Sequence, residues 1–122
     1  FSNTDICKVT IPSTVTKIGQ KAFYNTKLEQ VVLPEGITKI EQETFSNYYL
    51  KKAYIPASVK SIDAAAFEHC SHLTDIYYGG SEAAWDNIQI KSSGNKNLAA
   101  IKEADGIHYN STPTSMSLLI LF

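Results

Sequence analysis

Little in this chain marks a particular chemistry. Of its 122 residues two are cysteine, one is tryptophan and one is methionine, and 11 basic residues nearly balance 12 acidic ones for a formal net charge of −1. Without a basic field nothing is in place to hold a phosphate backbone, so nucleic acid is not an expected partner. No apolar run approaches the roughly 20 residues that span a bilayer. No signal peptide is visible either, although a chain that opens on Phe1 instead of Met says little about a leader. Nucleophile elbows, phosphate-cradling glycine loops and His-Glu-x-x-His helices are missing from the sequence. His69-Cys70-Ser71-His72 is the one cluster with ligand chemistry, but it has no second pair of ligands at zinc-like spacing and reads as a turn. No enzyme activity, cofactor or metal is therefore expected. What remains, at 43% hydrophobic and 19% charged, is the composition of a folded domain and not of a disordered chain.

What is present is a period. Pro12, Pro34 and Pro56 are 22 residues apart, as are Ile18, Ile40 and Ile62, and Phe23, Phe45 and Phe67. Ile6, Leu28, Leu50 and Leu73 form another column, followed by Val9, Val31, Ala53 and Ile76, and by Ile11, Leu33, Ile55 and Tyr78. The last spacing is 23 because the turn at His69–His72 holds one extra residue. A fixed period of this length means a solenoid, in which no unit buries its own apolar face and each must stack on its neighbours.

Within a unit, Leu28 to Leu33 reads as a strand with Val31 and Leu33 on one face. Pro34 ends it by having no N–H for the ladder, and Glu35-Gly36 turns the chain. Ile37 to Ile40 is a second extended piece, and Glu41 to Phe45 reads as a single helical turn, like Asp63 to Phe67 with its N-capping aspartate. Asn3, Asn25, Asn47 and His69 make a column at the next corner, where side-chain amides are expected to bond backbone groups of adjacent coils. Phe1 to Ile6 matches Phe23 to Leu28, so the chain opens inside a repeat and earlier coils are expected before it.

The run Val9-Thr10-Ile11-Pro12-Ser13-Thr14-Val15-Thr16-Lys17-Ile18-Gly19-Gln20-Lys21-Ala22-Phe23, with Phe67 to Leu73, resembles the BspA-type leucine-rich repeats of bacterial surface proteins. The resemblance covers about residues 1–78, and Ile76 to Trp85 through Ile107 to Asn110 resembles the end such arrays carry. It implies a β-rich, α/β-type right-handed solenoid: a leucine-rich-repeat horseshoe with a parallel β-sheet, short helical turns and a small helical C-terminal cap. It also implies a cell-surface or extracellular location and a non-catalytic adhesion or protein-interaction role, and it brings no catalytic residues to carry over. The expected organisation is repeats over 1–80, a cap over 81–110 and a tail over 111–122.

The cap is legible from physics as well. Ser81 and Glu82 start a short helix that lays Trp85 and Ile88 over the last coil. Asn97 to Ala104 reads as a second helix with Leu98 and Ile101 on one face, stopped by Gly106, and Ile107-His108-Tyr109 as one more rung of sheet. Beyond the sequon Asn110-Ser111-Thr112, Leu118 to Phe122 is an apolar stub that reads equally as the start of an anchor, a foreign extension or a docking strip. Cys7 and Cys70 lie three rungs apart, about 14 Å at roughly 4.8 Å per rung. A disulfide needs Cα atoms within about 7 Å, so two thiols are expected.

Function is sought on the face that points away from the core. Two columns alternate with the buried strand positions: Lys8, Gln30, Lys52, Asp75, and Thr10, Val32, Tyr54, Tyr77. Val32, Tyr54 and Tyr77 on consecutive rungs are expected to form an exposed aromatic strip of the composition enriched at interfaces. These eight residues are the candidate partner-binding face, for a protein ligand such as a host protein, or alternatively for a glycan stacked on the tyrosines. The first strand has no coil before it, so its open edge and apolar floor predict self-association or fraying at that end.

Overall fold

The computed structural model describes residues 7–114. Ten elements follow in chain order: β1 (Lys8–Thr10), β2 (Gln30–Val32), β3 (Lys39–Ile40), β4 (Lys52–Ile55), β5 (Ser61–Ile62), β6 (Asp75–Tyr78), α1 (Glu82–Asp86), β7 (Gln89–Ile90), α2 (Lys96–Glu103) and β8 (Ile107–His108). They form two parallel sheets, a five-stranded one in the order β1-β2-β4-β6-β8 and a three-stranded one in the order β3-β5-β7. The register steps by one repeat throughout: Val9 opposite Val31, Val31 opposite Ala53, Ala53 opposite Ile76. This is the parallel-strand solenoid that the 22-residue period requires, because only coil-on-coil stacking puts equivalent residues side by side.

The predicted apolar columns are the core. Leu28, Val31, Leu33, Ile40, Leu50, Ile55, Ile62 and Ile76 are all buried. The proline turn repeats as well, with the carbonyls of Pro12, Pro34 and Pro56 accepting from Val15, Ile37 and Val59 N–H. Phe23, Phe45 and Phe67 stack face to face at 5.5 Å between centroids, within the range where aromatic pairs attract.

Where a helical turn was expected, the structure has a tight turn instead. Lys21, Glu43 and Ala65, again 22 apart, carry φ of 59°, 57° and 57°. A left-handed residue in each coil reverses the chain more sharply than a helical turn does, and it brings the phenylalanine back against the core. Asp63 still caps, its Oδ1 accepting from Ala64 N–H at 2.7 Å, but it caps this turn and no helix. At the neighbouring corner Asn47 does bridge coils, but to a side chain of the adjacent coil, and the backbone group it bonds lies in its own coil. Buried there, it donates from Nδ2 to Thr26 Oγ1 at 2.7 Å and accepts from Tyr49 N–H at 2.7 Å. Asn25 and His69, its equivalents, are exposed and take positive φ.

The C-terminal segment continues both sheets, through β7 and β8. Ser81 Oγ accepts from Ala84 N–H and caps α1, and Trp85 packs edge-on against Tyr78 at 5.2 Å. Leu98 and Ile101 of α2 are buried over the last coil. Gly106 has a different duty from the expected helix stop. Asp105 holds the left-handed position at φ 58°, while a Cβ on Gly106 would lie 2.3 Å from the Thr74 carbonyl oxygen. Glycine is needed there for close approach. Cys7 and Cys70 are not bridged. The apolar stub at 118–122 lies outside the described residues, as does Phe1 to Ile6 with the opening half-repeat.

Candidate functional site

Because the strands are parallel and in register, alternate residues form straight rows across the first sheet. Lys8 lies opposite Gln30, Gln30 opposite Lys52 and Lys52 opposite Asp75. The second row runs Thr10, Val32, Tyr54, Tyr77 and then His108. Both expected columns therefore exist, and His108 extends the second by a rung that the sequence reading left unphased.

The exposure expected of the tyrosine strip is overturned. Val32, Tyr54 and Tyr77 are only 6%, 3% and 2% exposed and form a hydrophobic cluster of their own, separate from the main core. The cause lies in neighbouring coils. Tyr54 hydroxyl donates to Glu35 Oε1 at 2.8 Å, and a Cβ on Gly79 would lie 2.8 Å from that same hydroxyl. Tyr77 is stacked under the His108 ring, 4.5 Å between centroids. Burial, then the hydrogen bond and charge of Glu35, push the Tyr54 pKa well above that of an ordinary phenol. Burial and the Asp75 charge also raise the Tyr77 pKa.

The face that solvent reaches is thus a polar row laid beside an apolar floor. Lys8 and Thr10 are exposed, and Gln30, Lys52 and Asp75 are half-buried. Asp75 accepts from Thr74 Oγ1 and pairs with His108 Nε2, each at 2.8 Å. Burial raises its pKa, but the hydrogen bonds of His108 and Thr74 and the charges of His108 and Lys52 outweigh that and leave the carboxyl below its usual range. Gln30 Oε1 is buried and has no hydrogen-bond partner among the described residues, an unmet acceptor in the middle of the row. Among the described residues no group of three or more His, Cys, Asp or Glu side chains is placed to hold a metal ion.

Sequence reasoning missed a second feature, at the turn that leads into the same sheet. Tyr48 and Tyr49 are 58% and 46% exposed. Tyr48 stands edge-on to His72 at 4.5 Å and to Tyr49 at 5.5 Å. The signal was available: the matching positions in the first coil are Thr26 and Lys27, so the coil does not require aromatics there. Pairing with His72 was hidden because it joins two different coils.

The profile of the BspA type leucine-rich repeat region matches residues 1–108, in six copies. The chain belongs to the BspA-type leucine-rich repeat family. Among solved structures it is similar to a leucine-rich cell surface protein of Faecalibacterium prausnitzii A2-165, with a TM-score of 0.57 and 29% identity over 71% of this chain. The likeness spans 30% of that longer chain. No curated protein matches. The match to residue 108 runs past the last 22-residue column, in keeping with the way β7 and β8 continue the BspA-type sheets through the helical segment.

Proposed function

We propose that this chain is a non-catalytic protein-interaction module of a cell-surface adhesion protein, and that its docking face is the first sheet. Membership of the leucine-rich repeat family and likeness to a cell surface protein support the class. The observation that carries the face is the in-register row Lys8, Gln30, Lys52 and Asp75, set beside the buried floor of Val32, Tyr54 and Tyr77. Side chains of both charge signs are held at fixed spacing on a rigid sheet, next to the unmet Gln30 acceptor. Such a surface reads a complementary partner with little ordering cost. Thr10, exposed at the end of the row, completes the face. A glycan stacked on Tyr54 and Tyr77 is the weaker reading here, since neither ring offers an open face. The proposal also includes contact between copies at the outer edge of β1.

The test is binding of the immobilised module to a panel of purified host cell-surface and matrix proteins. Retention of at least one panel protein is expected, weakened about tenfold by Lys8→Glu with Lys52→Glu. Equal binding by the double variant removes the first sheet as the docking face, and no retention at all removes the adhesion reading.

A further inference from the structure

The tyrosines at the turn before β4 are not explained by the fold or by the docking face. The first coil carries Thr26 and Lys27 at the matching positions and takes its corner differently, with Asn25 at positive φ where Asn47 has none, so a coil of this repeat closes without aromatic side chains there. Tyr48 and Tyr49 are also two of only three large apolar side chains exposed among the described residues, the other being Tyr24. Apolar side chains exposed side by side are informative, whereas one scattered singly on a surface needs no explanation.

The pair is fixed in place. Tyr49 N–H donates to Asn47 Oδ1 at 2.7 Å, and Asn47 is itself buried and anchored to Thr26. Tyr48 carbonyl is 2.9 Å from His72 Nδ1 on the next coil, so a backbone atom and not the phenol holds that contact. The rings stand nearly perpendicular, at 86° to each other and 75° between Tyr48 and His72. Between them and the strand starts lies an open cleft of about 230 Å³, lined by Glu29, Tyr48, Tyr49, Lys51 and His72. Of its lining residues, Lys51 Nζ meets Glu29 Oε1 at 2.9 Å, which places a donor and an acceptor side by side with no net charge.

We propose that this cleft is a binding subsite for a neutral pyranose ring, one unit of a glycan chain. A pyranose presents a flat face of C–H groups with slight positive character, which meets the negative face of an aromatic ring. Its edge carries hydroxyls that both donate and accept, the pattern that an adjacent carboxylate and ammonium satisfy together. The neutral Glu29–Lys51 pair gives no reason to select a charged sugar. Five residues line the cleft, against the roughly 20–30 on each side of a stable protein interface. This subsite is separate from the polar row on the first sheet and stands or falls independently of it.

The experiment titrates isotope-labelled protein with maltose, cellobiose, lactose and N,N′-diacetylchitobiose while following backbone amides. At least one sugar is expected to move the amides of residues 48–51 and of His72, with those of Lys8 and Gln30 unmoved. Tyr49→Ala is expected to weaken that binding about tenfold or more, with Tyr24→Ala as the exposed-tyrosine control that binds as wild type. Should Tyr49→Ala fold poorly, Tyr48→Ala tests the same point, because its anchoring contact to His72 is through the backbone. Absence of shifts with all four sugars overturns the proposal. So does undiminished binding by both tyrosine variants, or shifts confined to the polar row.

Discussion

The first and last described rungs are built on the same register and covered differently. At the last rungs β8 extends the first sheet, β7 extends the second, and Trp85, Ile88, Leu98 and Ile101 close the core at 8% exposure or less. Among the described residues each outermost strand of the first sheet is paired on one side only, β1 with β2 and β8 with β6, but no strand of the first coil joins β3 in the second sheet. An apolar groove of about 440 Å³ opens there, lined by Val9, Ile11, Val15, Ile18 and Ala22 among others. The lesson is in the hydrogen bonds. Phe23 and Phe45 N–H donate to the carbonyls of Thr44 and Ala66 in the following coil. Phe67 has no such coil after it, and its N–H donates to the Asn95 side chain at 3.2 Å while its carbonyl accepts from Asn97 Nδ2 at 2.9 Å. A side-chain amide stands in for the missing backbone, so an end is closed by departing from the repeat.

The comparison breaks most sharply on removal of a closing side chain. Trp85→Ala is expected to cost about 3–5 kcal/mol in urea unfolding, as large-to-small changes at buried aromatics do. Val15→Ala in the half-covered first coil is expected to cost under about 2 kcal/mol. Equal losses would mean that the first coil is as well closed as the last.

The cysteines sharpen the contrast kinetically. Cys7 precedes β1 and is exposed, whereas Cys70 is buried in the third coil with its thiol donating to the Phe45 carbonyl at 2.9 Å. Burial, only partly offset by a hydrogen bond at Asn47, pushes the Cys70 thiol up to about 12. With almost no thiolate at pH 8 and no access, Cys70 is expected to react with an aromatic disulfide reagent about 100-fold or more slower than Cys7. One fast thiol per chain is the predicted count, and two fast thiols would show that the third coil opens as readily as the first.

The smallest effect concerns association. The edge of β1 that meets no further strand among the described residues lies beside an apolar groove and favours contact between copies, so the scattering mass is expected to rise with concentration and Val15→Lys to weaken that rise about tenfold. Amides of β1 are expected to exchange faster than those of β4 in the dilute protein. A concentration-independent monomer with β1 protected like β4 would erase the distinction between the two ends.

Much of this was legible in the residues. The columns of Leu28, Val31, Leu33, Ile40 and Phe45 predict the core because a 22-residue period leaves each coil no other place to bury them. The cap reads equally well, since Ser81 before Glu82 and Trp85 is a local signal that α1 obeys. Glu41 to Phe45 misled because its composition suits a helical turn, while the left-handed residue at Glu43 is imposed by the coil's closure. Asn95 and Gly106 were unreadable for a related reason: each answers a backbone group, of Phe67 or Thr74, far away in the chain.

Sequence alone determined that equivalent residues would stack in rows, which rows face the core, and that two short helices would bury Trp85, Leu98 and Ile101 after the repeats, because periodicity and capping are local properties. Only the tertiary structure decided what solvent sees. The outward phase of Tyr54 and Tyr77 is a property of their strands, but their exposure is set by Glu35, Gly79 and His108 of other coils. Likewise Tyr48 and His72 meet across coils. Burial is a sum over neighbours in space, and a strand pattern specifies direction without specifying what waits there.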